Sequence, residues 1–313
     1  MKKQLFALSI TALLLMGCSR NKEHKLSLSV VAPSGAPALG LYKFVNDTNL
    51  EINADPTNLV AYMSSGSKDV IVLPTNAGVQ AIKKGANYQI ASTITFGNFY
   101  LASTGNDANE RLGEGDYVVL FQQNNVPDKL FRFVYMDLVS ALDIHYVNAA
   151  SDAAACIVTG KNASDDNHPV DYVLIAEPAL STALSKNPKA SEYANLQTLY
   201  KEKTDNKPIT QASIFVKKDL ERNKVKSLLN DVKDDINELV NNSEVLDEYL
   251  KDIDELTLAS KFGGNLEKLK TMMKNQNRVG LGYLDAYENK ESIDSFLSLW
   301  PAIGGTSEEI YFK

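Results

Sequence analysis

The chain has 313 residues, of which 44% are hydrophobic, 23% charged and 8% aromatic, a composition that builds a large core and excludes a disordered or collagen-like chain. At this length two domains or two lobes are the ordinary expectation. Lys and Arg number 32 against 39 for Asp and Glu, a net charge of −7 and the wrong sign for a nucleic-acid partner. Two cysteines and three histidines, none at C-x-x-C or H-x-x-x-H spacing, predict no metal site, disulfide framework or cofactor.

The first element is a leader. Lys2 and Lys3 precede an apolar run over residues 5–16, broken only by Ser9 and Thr11, and the run ends in Leu15-Met16-Gly17-Cys18. A basic start with a short apolar stretch suits export, whereas a membrane-spanning helix needs about 20 apolar residues. The ending resembles the lipobox of bacterial lipoproteins, which implies an acylated Cys18 as the mature first residue. Cleavage there removes seventeen residues with two lysines and leaves 296 residues at net charge −9. Residues 18–25 then read as a lipidated, solvated tether. The second cysteine, Cys156, lies in AAACIV and reads as a buried small hydrophobe.

From Leu26 onward, short β-rich runs alternate with helix-like stretches, the pattern of an α/β fold with parallel strands. The pattern occurs twice. Residues 69–82 (DVIVLPTNAGVQAI) are echoed by 171–184 (DYVLIAEPALSTAL): an Asp, an apolar run, a polar strand end (Thr75, Glu177) and an apolar-periodic helix. Upstream, 53–66 corresponds to 148–160, each a polar cluster opening a helix that a glycine closes. Earlier still, Val30-Val31 leads into PSGAPAL as Val118-Val119 leads into QQNNVPDKL. Two extended stretches, 92–103 and 209–217, leave and follow the second unit, and the chain beyond Asp219 turns mainly helical. The predicted architecture is two similar α/β lobes joined by two crossing strands, with a helical C-terminal segment. Lobe one comprises 26–102 plus 210–313 and lobe two 103–209.

The leader, the twin lobes and the crossing strands together resemble the type II periplasmic binding proteins of ABC importers. The residues PSGAPAL (33–39), LPTNAGVQAIKKGANYQIAS (73–92), FGN (96–98), AEP (176–178) and AIGG…EEIYF (302–312) look closest to the branch that binds nitrate, sulfonates, taurine and thiamine precursors. The resemblance implies a monomeric lipoprotein on the extracytoplasmic face of the cell membrane, carrying palmitate on Cys18. It also implies a small-molecule ligand and delivery to an ABC permease and ATPase.

In open α/β sheets ligands bind beyond the carboxyl ends of strands, where helix N-termini offer unpaired N–H groups. That rule selects Ser34, Gly35, Ala36, Thr75, Asn76, Gln122, Asn124 and Glu177, and Gly97 and Asn98 on the first crossing strand face the same cleft. Ser34 and Thr75 are also ordinary N-cap types, and Asn98 has an alternative role in a strand bulge. Glu177, at the end of an apolar run, must meet water, a cation or a ligand donor. Of the nearby aromatics Tyr42, Phe96, Phe99, Tyr100 and Phe121, one or two are expected at the site. No catalytic residues are predicted, because no nucleophile motif or acid–base pair stands out. No arginine stands at a predicted strand end, so the expected cargo is a neutral or amine-bearing small organic molecule such as a heterocyclic vitamin precursor, held by Asn98 and Glu177. The alternatives are a sulfonate- or nitrate-type anion, or an enzyme on the same fold.

Overall fold

The computed structural model describes residues 25–53, 55–106, 111–275 and 277–313. Cys18, the leader and the tether up to His24 lie outside them. Among the described residues no helix is long and apolar enough to cross a membrane.

The chain begins with β1 (Val30–Pro33), the one-turn α1 (Ala36–Leu39), β2 (Leu50–Asn53), α2 (Pro56–Ser65), β3 (Val70–Pro74), α3 (Thr75–Lys83) and β4 (Tyr88–Thr95). It crosses at 96–98 into β5 (Phe99–Ser103), β6 (Tyr117–Phe121), α4 (Val126–Val134), β7 (Asp143–Val147) and α5 (Ala150–Thr159). A small hairpin of β8 (Lys161–Asn162) and β9 (His168–Pro169) leads to β10 (Tyr172–Ala176), α6 (Ala179–Leu184), β11 (Ser191–Asn195) and α7 (Leu196–Lys203). The return over 204–211 delivers β12 (Ala212–Lys217). There follow α8 (Arg222–Asn241), α9 (Val245–Leu250), α10 (Glu255–Phe262), α11 (Leu266–Lys274), β13 (Leu281–Asp285) and α12 (Lys290–Leu297).

The two sheets share one strand order. The first reads β2-β1-β3-β12-β4-β13 and the second β7-β6-β10-β5-β11. In each, the fourth strand runs antiparallel to its neighbours and is the strand the chain builds just after crossing. The outward crossing therefore comes earlier than the expected 102/103 boundary. The all-buried run FYLAS enters the second sheet, with Tyr100 opposite Ile175.

Continuous apolar runs such as VIVLP and YVLIA form strands because both faces of each sheet carry helices. Along β3, Val70 and Val72 join the core under α8, while Ile71 and Leu73 join the core under α2 and α3. The long α8 buries Val225, Leu228, Leu229, Val232, Ile236 and Leu239, the i, i+3, i+4, i+7 spacing of an amphipathic helix. Asn195, Asp254 and Asn265 cap α7, α10 and α11 with side-chain oxygens. The C-terminal helix serves both lobes: Ile293 and Leu297 of α12 lie in a first-lobe core, while Phe296 lies in the second-lobe core.

The crossings themselves are tight. Gly97 has φ +87° and Gly280 φ +66°, and a Cβ on Gly280 would sit 2.4 Å from the Gly97 carbonyl oxygen. Phe96 donates its N–H to the Gly280 carbonyl at 2.7 Å. A side chain at Gly280 would strike the Gly97 backbone and one at Gly97 the side chains of Gln197 and Ile209, and both positions have positive φ, so both favour glycine.

Candidate ligand-binding cleft

The carboxyl ends of β1 and β3 in the first lobe, and of β6 and β10 in the second, open onto one cavity of about 430 Å³. These strands occupy equivalent places in the two sheets. Each is followed by a helix whose first turn has N–H groups lacking intrahelical partners. The lining includes Ser34, Gly35, Ala36, Asn76, Asn98, Gln122 and Glu177 from the expected set, with Phe99 and Phe121 as the aromatics. Their ring centroids are 6.2 Å apart.

Three expected positions are placed elsewhere. Thr75 is fully buried, and its hydroxyl pairs at 2.7 Å with Ser213 of β12, which also meets Thr93 of β4. It ties α3 to the central strand and is neither a cap nor a cavity residue. Gly97 is consumed by the close approach of Gly280, and Ile209 and Gln197 occupy the space a Cβ on it would take. Asn124, at φ +65°, is exposed and turns its N–H to Asp128 Oδ2 at 2.8 Å, a local turn contact. Of the other aromatics, Tyr42 is core, and Tyr100 and Phe96 stand outside the lining.

Glu177 lines the cavity, but its carboxylate is already engaged. Its side chain is fully buried, and Oε1 accepts from Arg278 Nε at 2.7 Å and from Ser181 Oγ at 2.7 Å, while Oε2 accepts from Ser181 N–H at 3.1 Å. Arg278 also reaches Glu192 of β11 at 2.7 Å and lies 4.4 Å over the Tyr100 ring. Burial opposes the guanidinium charge, yet the hydrogen bonds to Glu177 and Glu192 outweigh it and hold its pKa above the ordinary value. Burial likewise pushes Tyr100 up to about 12, with the Arg278 charge pulling the other way. The expected charge of the site thus changes: an arginine 101 residues away in sequence neutralises the one carboxylate of the lining. Lys268 of α11 adds a hydrogen bond to Thr182 of α6, so the C-terminal part of lobe one clasps lobe two at that edge.

Asn98 is also committed. Its Nδ2 donates to the Glu177 carbonyl at 2.8 Å, its carbonyl accepts the Glu177 N–H at 3.0 Å, and its Oδ1 accepts from Gln211 Nε2 at 3.4 Å. Asn98 and Glu177 both line the cavity, as expected, and both also brace its hinge side through these contacts, while Gln211 and Asn125 join the lining. Gln211 escaped sequence reasoning because it follows no strand end. It sits on the return crossing, with its N–H on the Thr95 carbonyl and its carbonyl accepting the Thr75 N–H. The described lining contains no Lys or Arg.

No protein-family model matches the chain, and no curated protein matches it in sequence. Solved structures do match in fold. One described as an ABC transporter from Parabacteroides distasonis shares 19% identity over 91% of this chain and 98% of that one, with a TM-score of 0.69. The alkanesulfonate-binding protein of Xanthomonas axonopodis pv. citri, bound to MOPS, shares 14% identity over 92% of this chain and 94% of that one, at 0.58. A Candida albicans protein described as having the generic periplasmic-binding-protein fold shares 12% over 90% and 92%, at 0.55. The shared strand order and the interlobe cleft define the type II periplasmic-binding-protein fold. Structures of that fold that resemble this chain include the ABC transporter and the alkanesulfonate-binding protein above.

Proposed function

We propose that this protein is the extracytoplasmic solute receptor of an ABC importer. It is a monomeric lipoprotein, held at the membrane by acyl chains on Cys18, that captures a small uncharged organic molecule between its lobes and delivers it to a permease and its ATPase. The observation that carries the reading is the cavity itself. It lies at the carboxyl ends of equivalent strands from two lobes, so a cargo there touches both, and contacts from both are satisfied only when the cleft is shut.

The chemistry of the wall supports an uncharged cargo. Phe99 and Phe121 give an apolar surface for a planar ring, and the helix N-termini and amide side chains supply hydrogen bonds. An amine would find Glu177 already paired with Arg278, so the neutral half of the sequence expectation is favoured over the amine-bearing half. A sulfonate or nitrate would find no guanidinium in the described lining, although N–H groups alone hold some anions. A binding role is favoured over catalysis because the described lining presents no free acid–base pair.

The test is a thermal-shift screen of pyrimidines, flavins, amines, sulfonates and nitrate. A ligand at 100 times its Kd stabilises by about 2.7 kcal/mol. Stabilisation by uncharged heterocycles is expected, and stabilisation by sulfonates or nitrate alone selects the anion reading instead. For the anchor, Cys18→Ser is expected to move the protein from the membrane fraction to the soluble one without lowering its melting temperature. Retention in the membrane fraction would remove the lipoprotein assignment.

A further inference from the structure

The end of lobe one that lies away from the cavity carries a charge opposite to that of the molecule. Strands β1 to β4 and β12 reach that end at Val30, Leu50, Val70, Tyr88 and Lys217, and the loops around them are residues 25–29, 45–49, 66–69, 83–88 and 217–226. These loops hold nine Lys and Arg against four Asp and Glu, a net charge of +5 in a chain of net charge −7. The corresponding loops of lobe two, 103–106, 111–117, 135–143, 159–172 and 185–191, hold four against seven, a net charge of −3. Burial separates the signs further. Asp47 and Asp69 are half-buried and accept the N–H groups of Leu26 and Ser29 at 2.8 and 2.9 Å, whereas Lys25, Lys84, Lys218, Arg222, Lys224 and Lys226 are exposed. Lys224 pairs with Glu221 at 3.1 Å, while Lys84, Lys218 and Lys226 make no ion pair among the described residues.

The chain enters the fold at this same end. Lys25 lines a small surface cleft with Lys224 and Ser227 of α8, and Arg20 and Lys22 of the tether add charge of the same sign. A tether over residues 19–25 spans at most about 25 Å, so acyl chains on Cys18 keep these cations near the bilayer. An anionic surface attracts them within a Debye length, about 8 Å at physiological salt. Because the chain as a whole is negative, an unoriented approach is repelled and only this one is attracted. We infer that the cavity-distal end of lobe one is a membrane-contact surface: Lys84, Lys218, Lys226 and their neighbours rest on anionic lipid headgroups of the bilayer that holds the acyl chains, and the acidic end of lobe two is turned away from it. The inference rests on the lipoprotein reading above and adds an orientation to it. Lobe one stands between the bilayer and the cavity.

The experiment extracts the protein with detergent from cells expressing the full chain and reconstitutes it with vesicles of phosphatidylcholine, alone or mixed in equal parts with phosphatidylglycerol. Lysine acetylation is then timed by mass spectrometry. At low salt Lys84, Lys218 and Lys226 are expected to react at least about threefold more slowly on the anionic vesicles, and added salt is expected to remove the difference. Lys186 and Lys189 of lobe two are expected to react equally on both. The triple variant Lys84→Glu, Lys218→Glu, Lys226→Glu stays on the vesicles through its acyl chains and is expected to lose the slowing at Lys25 and Lys224. Equal rates on the two kinds of vesicle, with the protein still sedimenting with them, overturn the contact surface and leave the anchor intact. Slowing at Lys186 and Lys189 instead would put lobe two on the bilayer and overturn it equally. Protein left in solution with both kinds of vesicle overturns the anchor and this assignment together.

Discussion

The two lobes share a strand order but close their helix N-termini differently. In lobe two each helix that faces the cavity is met by a carboxylate of its own. Asp128, almost fully buried in α4, accepts from Asn124 N–H, Arg132 Nε and the Tyr146 hydroxyl, and Glu177 accepts from Ser181 at the start of α6. In lobe one neither α1 nor α3 has an acidic residue in its first turn. Thr75 occupies the place that Glu177 takes in the second lobe, and its hydroxyl is spent on Ser213. Lobe one thus meets the cavity with helix N-termini that no carboxylate closes, whereas lobe two adds the rings of Phe99 and Phe121 to its amides Gln122 and Asn125. Duplicated architecture supplies the cleft, whereas the differences between the copies orient what enters it.

The sharpest way to break this comparison is at the contact that joins the lobes. Arg278→Met leaves the buried Glu177 with Ser181 alone and is expected to lower stability by about 3 kcal/mol in urea unfolding, near the lower end for a broken buried pair because Arg278 is partly exposed. Adding Glu177→Gln to that variant is expected to restore most of the loss; a double variant no more stable than the single one would show that the pairing is not the cause. Gly280→Ala comes next, at about 2 kcal/mol, since its Cβ meets a backbone oxygen and its φ is positive. An alanine variant of wild-type stability would mean that the crossings are looser than described.

Asp128→Asn tests the closed N-terminus of α4. A loss of about 1–2 kcal/mol is expected, with the calorimetric affinity for cargo unchanged because Asp128 lies outside the lining to which Val126 and Pro127 of α4 belong; a changed affinity would mean that Asp128 positions that first turn for binding. The smallest effect belongs to the C-terminal helices of lobe one, where hydrogen bonds from Lys270 and then Lys274 hold the Glu244 pKa at about 2, below its ordinary 4.5. A depressed carboxylate stabilises above pH 4.5 and loses that contribution as the pH falls toward 2. Glu244→Gln is therefore expected to lower the melting temperature by no more than about one degree at neutral pH in physiological salt. The difference should shrink through pH 4.5 to 2 and vanish below the folded pKa of about 2, and one that grows in acid would reverse the sign.

The fold was legible because its signals are local. Apolar runs, closing glycines and the echo between 69–82 and 171–184 each occupy a single element. The strand-end rule found Ser34, Asn76, Gln122 and Glu177 for the same reason, since a residue's place after a strand is a local property. What a side chain does there is not local. Whether Thr75 faces the cavity or Ser213 depends on β12 lying against β3, a pairing between residues 138 apart. The neutral charge of the site depends on Arg278, which precedes β13, a short glycine-containing strand that periodicity does not reveal. Gln211 became visible only once the return crossing had a register, with Ala212 opposite Pro74.

The position of β12 bears on how the polypeptide is assembled as it emerges. This strand fills the gap between β3 and β4 in the first sheet, yet more than a hundred residues of the other lobe separate it from them along the chain. Synthesis delivers the N-terminus first, so the first sheet waits with two unpaired central edges while the second sheet, begun later, closes over one continuous segment. Exposed strand edges of that kind invite pairing with other chains. A chain stalled after α7 therefore holds one complete sheet and one that is open through its middle. Factors that hold incomplete chains have most to protect during that interval, and the arrival of residues 212–217 ends it.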